Sequence, residues 1–91
     1  IGGEEFLIAM PDTDCDTSLL LASRLCKLIA SNPVAIPPAG MMLSQTMSIG
    51  IAVAPADGHI PTPELIAMAD RALYGAKADG RNQALLGTVA A

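Results

Sequence analysis

Residues 43–53 read LSQTMSIGIAV, and the period-two alternation of this stretch decides the predicted fold. Successive side chains of a strand point to opposite faces of a sheet. The pattern therefore predicts one long strand with a strongly apolar face and, behind it, a face of small side chains that another element can approach closely. The apolar face comprises Leu43, Met47, Ile49, Ile51 and Val53, with Gln45 as the exception. The small face comprises Ser44, Thr46, Ser48, Gly50 and Ala52.

A strand and a helix are predicted ahead of this stretch. Residues 6–10, FLIAM, form an unbroken apolar run, which is typical of a short strand buried on both faces. Thr13 and Asp16 match an S/T-x-x-acid capping pattern, so a helix is predicted to start near residue 14 and to end at residues 32–33, Asn-Pro. Its apolar stripe is broad enough to cover a large surface. The stripe comprises Cys15, Leu19, Ala22, Cys26 and Ile29, widened by Leu21, Leu25 and Leu28.

A loop, a second helix and a short strand are predicted on the remaining segments. Residues 33–40 are rich in proline and typical of a loop, with a short edge strand at residues 34–36. Residues 62–64, Thr-Pro-Glu, provide an N-cap, a proline at the first helical position and an acid in the first turn. Gly80 suits the position just past the helix end, and residues 83–86 give a final short strand. This order predicts an α+β or α/β arrangement in one layer set.

The composition indicates more apolar sequence than a chain of this size can bury. The 91 residues are 52% hydrophobic and 15% charged, whereas soluble domains run about 45–50% apolar and about 25% charged. A short chain also leaves a large share of its surface in water. We therefore expect this chain either to pack against another element or to be part of a longer domain. The absence of a methionine at position 1 favours the second alternative.

Composition also argues against several classes of protein. Charged residues, Pro or Gly interrupt every apolar run before the about 18–20 residues of a membrane span, and no signal peptide is visible. A net charge of −4 with 5 basic residues gives no footprint for a nucleic-acid polymer, although a few cations suffice for a small phosphorylated ligand. Cys15 and Cys26 lie about 16 Å apart on one predicted helix. They are too distant for a disulfide, so free thiols and a cytoplasmic location are expected.

The first candidate site is the Gly-Gly-Glu-Glu sequence of residues 2–5, at the entry to the first predicted strand. Two glycines permit a tight hairpin and let a ligand approach the backbone. Glu4 and Glu5 point to opposite faces, and a single carboxylate on a hairpin rim suits a hard cation such as Mg²⁺. A solvated turn followed by a strand explains the same residues without a ligand, and the spacing alone favours that alternative.

The second candidate site is the pair of cations Lys77 and Arg81, at the end of the second helix. Lysine binds phosphate oxygens as a point charge and arginine binds them as a planar fork. Taken alone, the favourable interaction of cations with the C-terminal end of a helix dipole explains both residues. Arg24, in the middle of the first helix, is interpreted as a solvated residue whose stem covers apolar surface.

Together, the two candidate sites resemble the signatures of the GGDEF domain of diguanylate cyclases. Residues 2–6, GGEEF, resemble the GG(D/E)EF motif, and residues 69–82, ADRALYGAKADGRN, resemble the C-terminal helix motif of the family. Residues 10–13, MPDT, and 46–50, TMSIG, also fit the family pattern in the right order. The resemblance covers nearly the whole chain, and the pair of end motifs is highly specific.

The resemblance implies a palm-like α+β sheet of the nucleotidyl-cyclase or ferredoxin-like kind, with packed helices. Residues 1–91 would form the C-terminal part of a single such domain, and thus a truncated piece of it. The implied activity is the condensation of two GTP molecules to cyclic di-GMP with release of pyrophosphate, in bacterial second-messenger signalling. Because each domain binds one GTP, a homodimer is implied, with cyclic di-GMP as product and inhibitor and with an upstream sensor or receiver domain.

The resemblance also assigns roles to the first candidate site by position. Glu4 would ligate Mg²⁺, with Mn²⁺ as the alternative cation, and would act as the base for the 3′-hydroxyl of GTP. Glu5 would be either structural or a further metal ligand. Gly2 and Gly3 would let the nucleotide lie against the hairpin.

On the same basis, Lys77 and Arg81 would hold the terminal phosphates of GTP. Arg24 falls where some members carry a helix arginine that binds product at an inhibitory site. The family's other metal-binding acid, its guanine-binding helices and its inhibitory Arg-x-x-Asp motif all precede the signature, and would therefore precede Ile1. We expect the 91 residues alone not to be a competent cyclase.

Two alternatives to an active cyclase stay open. A degenerate domain of the family would bind GTP or cyclic di-GMP and act as a regulatory or dimerisation module, and a purely structural domain would only support dimerisation. The expected compartment is the cytoplasm, with membrane anchoring through upstream segments left open. An exposed sheet edge and apolar face also lead us to expect self-association or segment exchange between copies.

Overall fold

A computed structural model of the chain describes residues 7–10, 13–37, 40–55, 58 and 60–87. Its elements, in order, are α1 (Cys15–Ala30), β1 (Val34–Ile36), β2 (Met41–Leu43), β3 (Ile49–Ile51), α2 (Thr62–Ala78) and β4 (Ala84–Leu86). This order confirms the predicted α+β class and is consistent with a piece of a palm-like fold. Within the described ranges, neither helix has the length and apolar character needed to cross a membrane.

The strands form two separate pairs. β1 and β2 make an antiparallel hairpin, whereas β3 and β4 pair in parallel, with Ile49 opposite Ala84 and Ile51 opposite Leu86. The parallel pair needs a crossover connection, which α2 supplies. The backbone N–H of Gly87 donates to the Ile51 carbonyl at 2.6 Å and extends this pairing by one residue. β3, α2 and β4 are therefore one connected unit.

The two helices pack on opposite faces of the β3–β4 pair. On one face, Ala22 and Cys26 of α1 form a buried cluster with Ile51 and Ala84. On the other face, a Cβ atom built on Gly50 would meet the Ala69 carbonyl oxygen and the backbone of Leu73 in α2. The prediction that the small face of this stretch admits close approach by another element is thus confirmed, and the element is α2.

The helix starts differ by one residue from the sequence interpretation. Asp14, rather than Thr13, is the N-cap of α1, where its Oδ1 accepts a hydrogen bond from the Thr17 backbone N–H at 2.7 Å. This donation lowers the pKa of the Asp14 carboxyl. Thr62 is the first residue of α2 and Pro61 is its N-cap, without a side-chain hydrogen bond. At α1, Asp14 supplies the carboxylate acceptor at the capping position; at α2, the helix includes Thr62 and no side chain caps its start.

The predicted single strand over residues 43–53 is wrong. The structure has β2 and β3 there, and residues 44–48 between them have no regular secondary structure. A strand persists only where a neighbouring strand supplies hydrogen bonds, and β1 and β4 each supply three residues. Side-chain alternation indicates which face of a strand is buried, but it does not indicate how long the neighbouring strand is.

The predicted strand at residues 6–10 is also wrong for residues 7–10, whereas residue 6 lies outside the described residues. Residues 7–10 form no strand and belong to neither sheet. Leu7 and Ile8 are 61% and 50% exposed, so they are not buried on both faces. Within the described segments no strand pairs with them, and burial of such a strand requires neighbours on its edges.

The cysteines agree with the sequence interpretation, but the breadth of the α1 stripe does not. Cys15 is exposed and Cys26 is buried, and both thiols are free. Burial raises the pKa of the Cys26 thiol. Leu21 and Leu28, which were expected to widen the contact face of α1, are exposed. One face of α1 meets the sheet, and its flanks meet solvent.

We expect the 91-residue chain to self-associate in solution. Several large apolar side chains of the described residues are exposed, among them Leu20, Leu28, Met41 and Met42. Contiguous exposed apolar surface favours association. Light scattering over a concentration series should give a mass above that of one chain. A monodisperse monomer at the highest concentration would contradict the expectation.

Candidate functional site

A cleft of about 1360 Å³ lies beside β3. Its walls come from α1, from residues 45–55 around β3, from α2 and from residues 7–10. Described residues of β4 are absent from the walls, and β4 occupies one edge of β3. The cleft therefore runs along the other edge of β3, between the two helices.

Lys77 and Arg81 both line this cleft. Lys77 lies in the last turn of α2 and is half-buried, and Arg81 lies just beyond the end of the helix and is exposed. Asp70, two turns earlier on α2, lines the same cleft. The structure thus brings the two sequence-predicted cations to one cavity, which a favourable helix-dipole interaction alone does not require.

The end of α2 sets the direction of the chain at Arg81. Asp79 is the C-cap, and Gly80 follows in the left-handed region with φ +109°. The Arg81 N–H then donates to the Ala76 carbonyl at 2.8 Å, which is the long bond of a Schellman motif. The prediction of Gly80 as the residue past the helix end is confirmed. This closure turns the chain back, so that Arg81 joins Lys77 in the walls of the cleft.

Sequence reasoning missed two polar residues beside this turn, Ser48 and Gln83. The backbone N–H of Asn82 donates to Ser48 Oγ at 3.2 Å. The Gln83 side-chain amide donates to the carbonyls of Asp79 at 2.8 Å, Arg81 at 3.3 Å and Ala76 at 3.4 Å. The TMSIG match contained Ser48, but the alternation pattern assigned it only to a strand face. Gln83 carried no signal, because its partners are backbone atoms.

The described acidic residues of the cleft do not form a metal site. Asp14 lines the cleft, yet its carboxylate caps α1 through Thr17. Within the described ranges, no group of three or more His, Cys, Asp or Glu residues could hold a metal ion. Glu4 and Glu5 lie outside those ranges, and their carboxylate oxygens are the donors that Mg²⁺ takes. The donor chemistry of the predicted site therefore fits Mg²⁺.

Of the other sequence-predicted site residues, Arg24 lies within the part of the chain that the structure describes. Gly2 and Gly3 lie outside the described residues, as do Glu4 and Glu5. Arg24 is exposed on α1 and is not among the residues that line the cleft. Its assignment to an inhibitory product site stays a prediction.

Comparison with known proteins gives a consistent assignment. The family model for "Diguanylate cyclase, GGDEF domain" matches residues 1–83. The response regulator PleD of Caulobacter vibrioides is 38% identical over 81 residues, which are 89% of this chain and 18% of PleD. Diguanylate cyclase DgcM of Escherichia coli K12 is 37% identical over 84 residues, 92% of this chain and 19% of DgcM. Diguanylate cyclase A of Treponema denticola is 29% identical over 85 residues, 93% of this chain and 22% of that protein.

The chain spans about a fifth of the length of these relatives. The family match nevertheless covers most of this chain and includes Glu4, Lys77 and Arg81. On this evidence, the chain belongs to the GGDEF domain family of diguanylate cyclases.

Proposed function

We propose that the protein containing this chain condenses two GTP molecules to cyclic di-GMP with release of pyrophosphate. The observation that carries the proposal is the presence of Lys77 and Arg81 in the walls of one cleft, in a chain of the diguanylate cyclase family. That cleft also runs along the edge of β3 opposite β4, where no described strand pairs. Two cations beside an open cleft suit a ligand that carries several phosphate oxygens.

Each proposed site residue has a role that its chemistry supports. Lys77 contributes a point charge and Arg81 a bidentate fork to the terminal phosphates of GTP. Gly2 and Gly3 let the nucleotide approach the backbone. Glu4 holds Mg²⁺, with Mn²⁺ as the alternative cation, and Glu5 is either structural or a further ligand. When bound, the cation neutralises charge on the phosphates.

The reaction balances with this chain's own groups. The 3′-hydroxyl oxygen of one GTP bonds to the α-phosphorus of the other, and the bond from that phosphorus to the bridging oxygen breaks, so that pyrophosphate leaves. The Glu4 carboxylate accepts the hydroxyl proton. Two such steps close the ring and release two pyrophosphates. Since each domain holds one GTP, two copies must face each other, and the active species is a homodimer.

The first test is the replacement of Lys77 with alanine in the full-length protein. We expect the Kd for GTP to rise about 10- to 100-fold, because a hydrogen bond to a charged group contributes about 1.5–3 kcal/mol. Isothermal titration with Mg²⁺ and 3′-deoxy-GTP, which lacks the attacking hydroxyl, measures this effect without turnover. The same titration with cyclic di-GMP, together with an assay for its formation, separates a cyclase from a regulatory module that only binds nucleotide.

Lys27→Ala is the matched control for this test. Lys27 lies in the last turn of α1, as Lys77 lies in the last turn of α2, so both interact with a helix dipole. Lys27 is not among the residues that line the cleft. Its loss should leave the Kd for GTP unchanged. Equal effects of the two substitutions, or no effect of Lys77→Ala, would contradict the phosphate role.

A further inference from the structure

We infer that Ser48 and Gln83 are positioning residues that hold Arg81 in its phosphate-binding orientation. The inference rests on the proposed role of Arg81 in binding GTP. Both residues contact the turn that follows α2. Ser48 lies just before β3, and Gln83 lies just before β4.

The turn that carries Arg81 is intrinsically unfavourable. Arg81 has φ +64° and Asn82 has φ +51°, and they follow Gly80, which is also in the left-handed region. Side chains with a Cβ atom rarely adopt this conformation, and two in succession persist only where surrounding contacts determine them. Contacts from other residues must therefore hold this turn in its strained conformation.

Ser48 restrains the turn from β3. Its Oγ accepts the hydrogen bond from the Asn82 N–H at 3.2 Å, and the adjacent Ile49 N–H donates to the Gln83 carbonyl at 2.9 Å. These two bonds attach the turn to the start of β3. The hydroxyl of Ser48 thus satisfies a backbone donor in a segment where neither a helix nor a strand provides an acceptor.

Gln83 restrains the turn from its own C-terminal side. One amide nitrogen lies within 3.4 Å of three carbonyl oxygens, those of Ala76, Asp79 and Arg81. The last carbonyls of a helix lack intrahelical partners, so this amide draws the helix end, the cap and the Arg81 backbone together. Gln83 is not among the residues that line the cleft. An effect of Gln83 on GTP binding must therefore act through other residues.

The consequence for function follows from the geometry of the guanidinium group. A planar fork gains bidentate bonds to phosphate only when it is held in the right orientation, and small misplacements of a binding group are costly. If the turn relaxes to ordinary φ values, the Arg81 side chain no longer points toward the cleft, although its charge is unchanged.

The test measures the Kd for GTP, with 3′-deoxy-GTP as the unreactive probe, in the full-length protein carrying Ser48→Ala, Ser48→Thr or Gln83→Glu. Ser48→Ala removes the acceptor, and Gln83→Glu replaces the donor with a carboxylate facing three carbonyls. We expect each to raise the Kd roughly tenfold, within the cost of a small misplacement. Ser48→Thr keeps the hydroxyl and should restore the Kd. Ser44→Ala is the matched control, because Ser44 is an exposed serine just after β2.

A double-mutant cycle with Arg81→Ala separates positioning from general support of the fold. Once Arg81 is absent, Ser48→Ala and Gln83→Glu should raise the Kd no further, whereas a structural role would add the same loss in both backgrounds. Additive effects, or wild-type affinity in both single variants, would overturn the inference and leave the proposed function intact. An unchanged Kd in Arg81→Ala alone would overturn the role of Arg81 and the inference with it.

Discussion

Replacing Gly50 with alanine is expected to lower the free energy of unfolding by at least about 3 kcal/mol, the upper end of the usual cost of overpacking. A Cβ atom at this position would meet the Ala69 carbonyl oxygen and the backbone of Leu73. Both contacts are with helix backbone, which cannot rotate away as a side chain can. α2 would have to leave β3, so chemical denaturation followed by circular dichroism should show a large shift in the midpoint.

Gly75→Ala is the control for this prediction. A Cβ atom on Gly75 would lie 3.5 Å from Leu85 Cδ1, an ordinary van der Waals distance. Gly75 lies inside α2, where alanine is more favourable than glycine by about 0.5–1 kcal/mol. This variant should therefore be slightly more stable than the wild type. A Gly50→Ala variant with wild-type stability would show that β3 and α2 are not in close contact.

Replacing Glu4 with glutamine is expected to reduce cyclase activity of the full-length protein by about 100-fold or more. Groups that only support metal ligands cost about 10- to 100-fold when they are removed, and Glu4 is proposed both to hold the cation and to accept a proton. Glutamine has nearly the same shape but has neither the charge nor the basicity. Formation of cyclic di-GMP from GTP and Mg²⁺ in a dimeric preparation measures the effect.

The control for Glu4→Gln is Glu64→Gln. Glu64 lies in the first turn of α2 and forms a surface ion pair with Arg71 at 3.4 Å. Exposed pairs of this kind contribute little to stability, so this variant should keep its activity. Activity of Glu4→Gln within a few-fold of the wild type would refute the role of Glu4, whereas inactivity of the wild-type dimer would favour the regulatory alternative.

Side-chain alternation was enough to predict which faces of β3 meet other elements. Ile49 and Ile51 pack toward α1, and Gly50 meets α2, as the two faces of the pattern required. The end of α2 was also predictable, because Gly80 is the residue type that enters the left-handed region without strain. In both cases the decisive information is local, since it depends on one residue and its immediate neighbours.

Features that depend on distant segments could not be predicted in the same way. The break between β2 and β3 reflects the length of partner strands elsewhere in the chain. The positive φ values of Arg81 and Asn82 depend on bonds from Ser48 and Gln83, and no propensity scale indicates those bonds. Patterns of single residues along the chain do not indicate which distant residues form these hydrogen bonds.

The types of residue in the candidate site were easier to predict from the sequence than their positions in space. A phosphate-binding role for Lys77 and Arg81 could be predicted only from the resemblance, since a helix dipole explains both cations equally well. The structure adds that both residues line one cleft. Arg24 carries the same charge but lies on α1 outside the cleft walls, and its assignment to a separate inhibitory site stays a prediction. Charge type alone therefore could not separate these residues.

The parallel pairing of β3 with β4 across α2 has a consequence for the order in which the chain folds. The connections that join α2 to β3 and to β4 are both shorter than the one between α1 and β3, so the contacts of α2 with these strands require less loss of chain entropy. We expect the unit to form early and α1 to dock on it afterwards. The Ser48–Asn82 bond joins the start of β3 to the turn between α2 and β4. The turn at Arg81 would then form in the first stage of folding, before α1 is in place as a wall of the cleft.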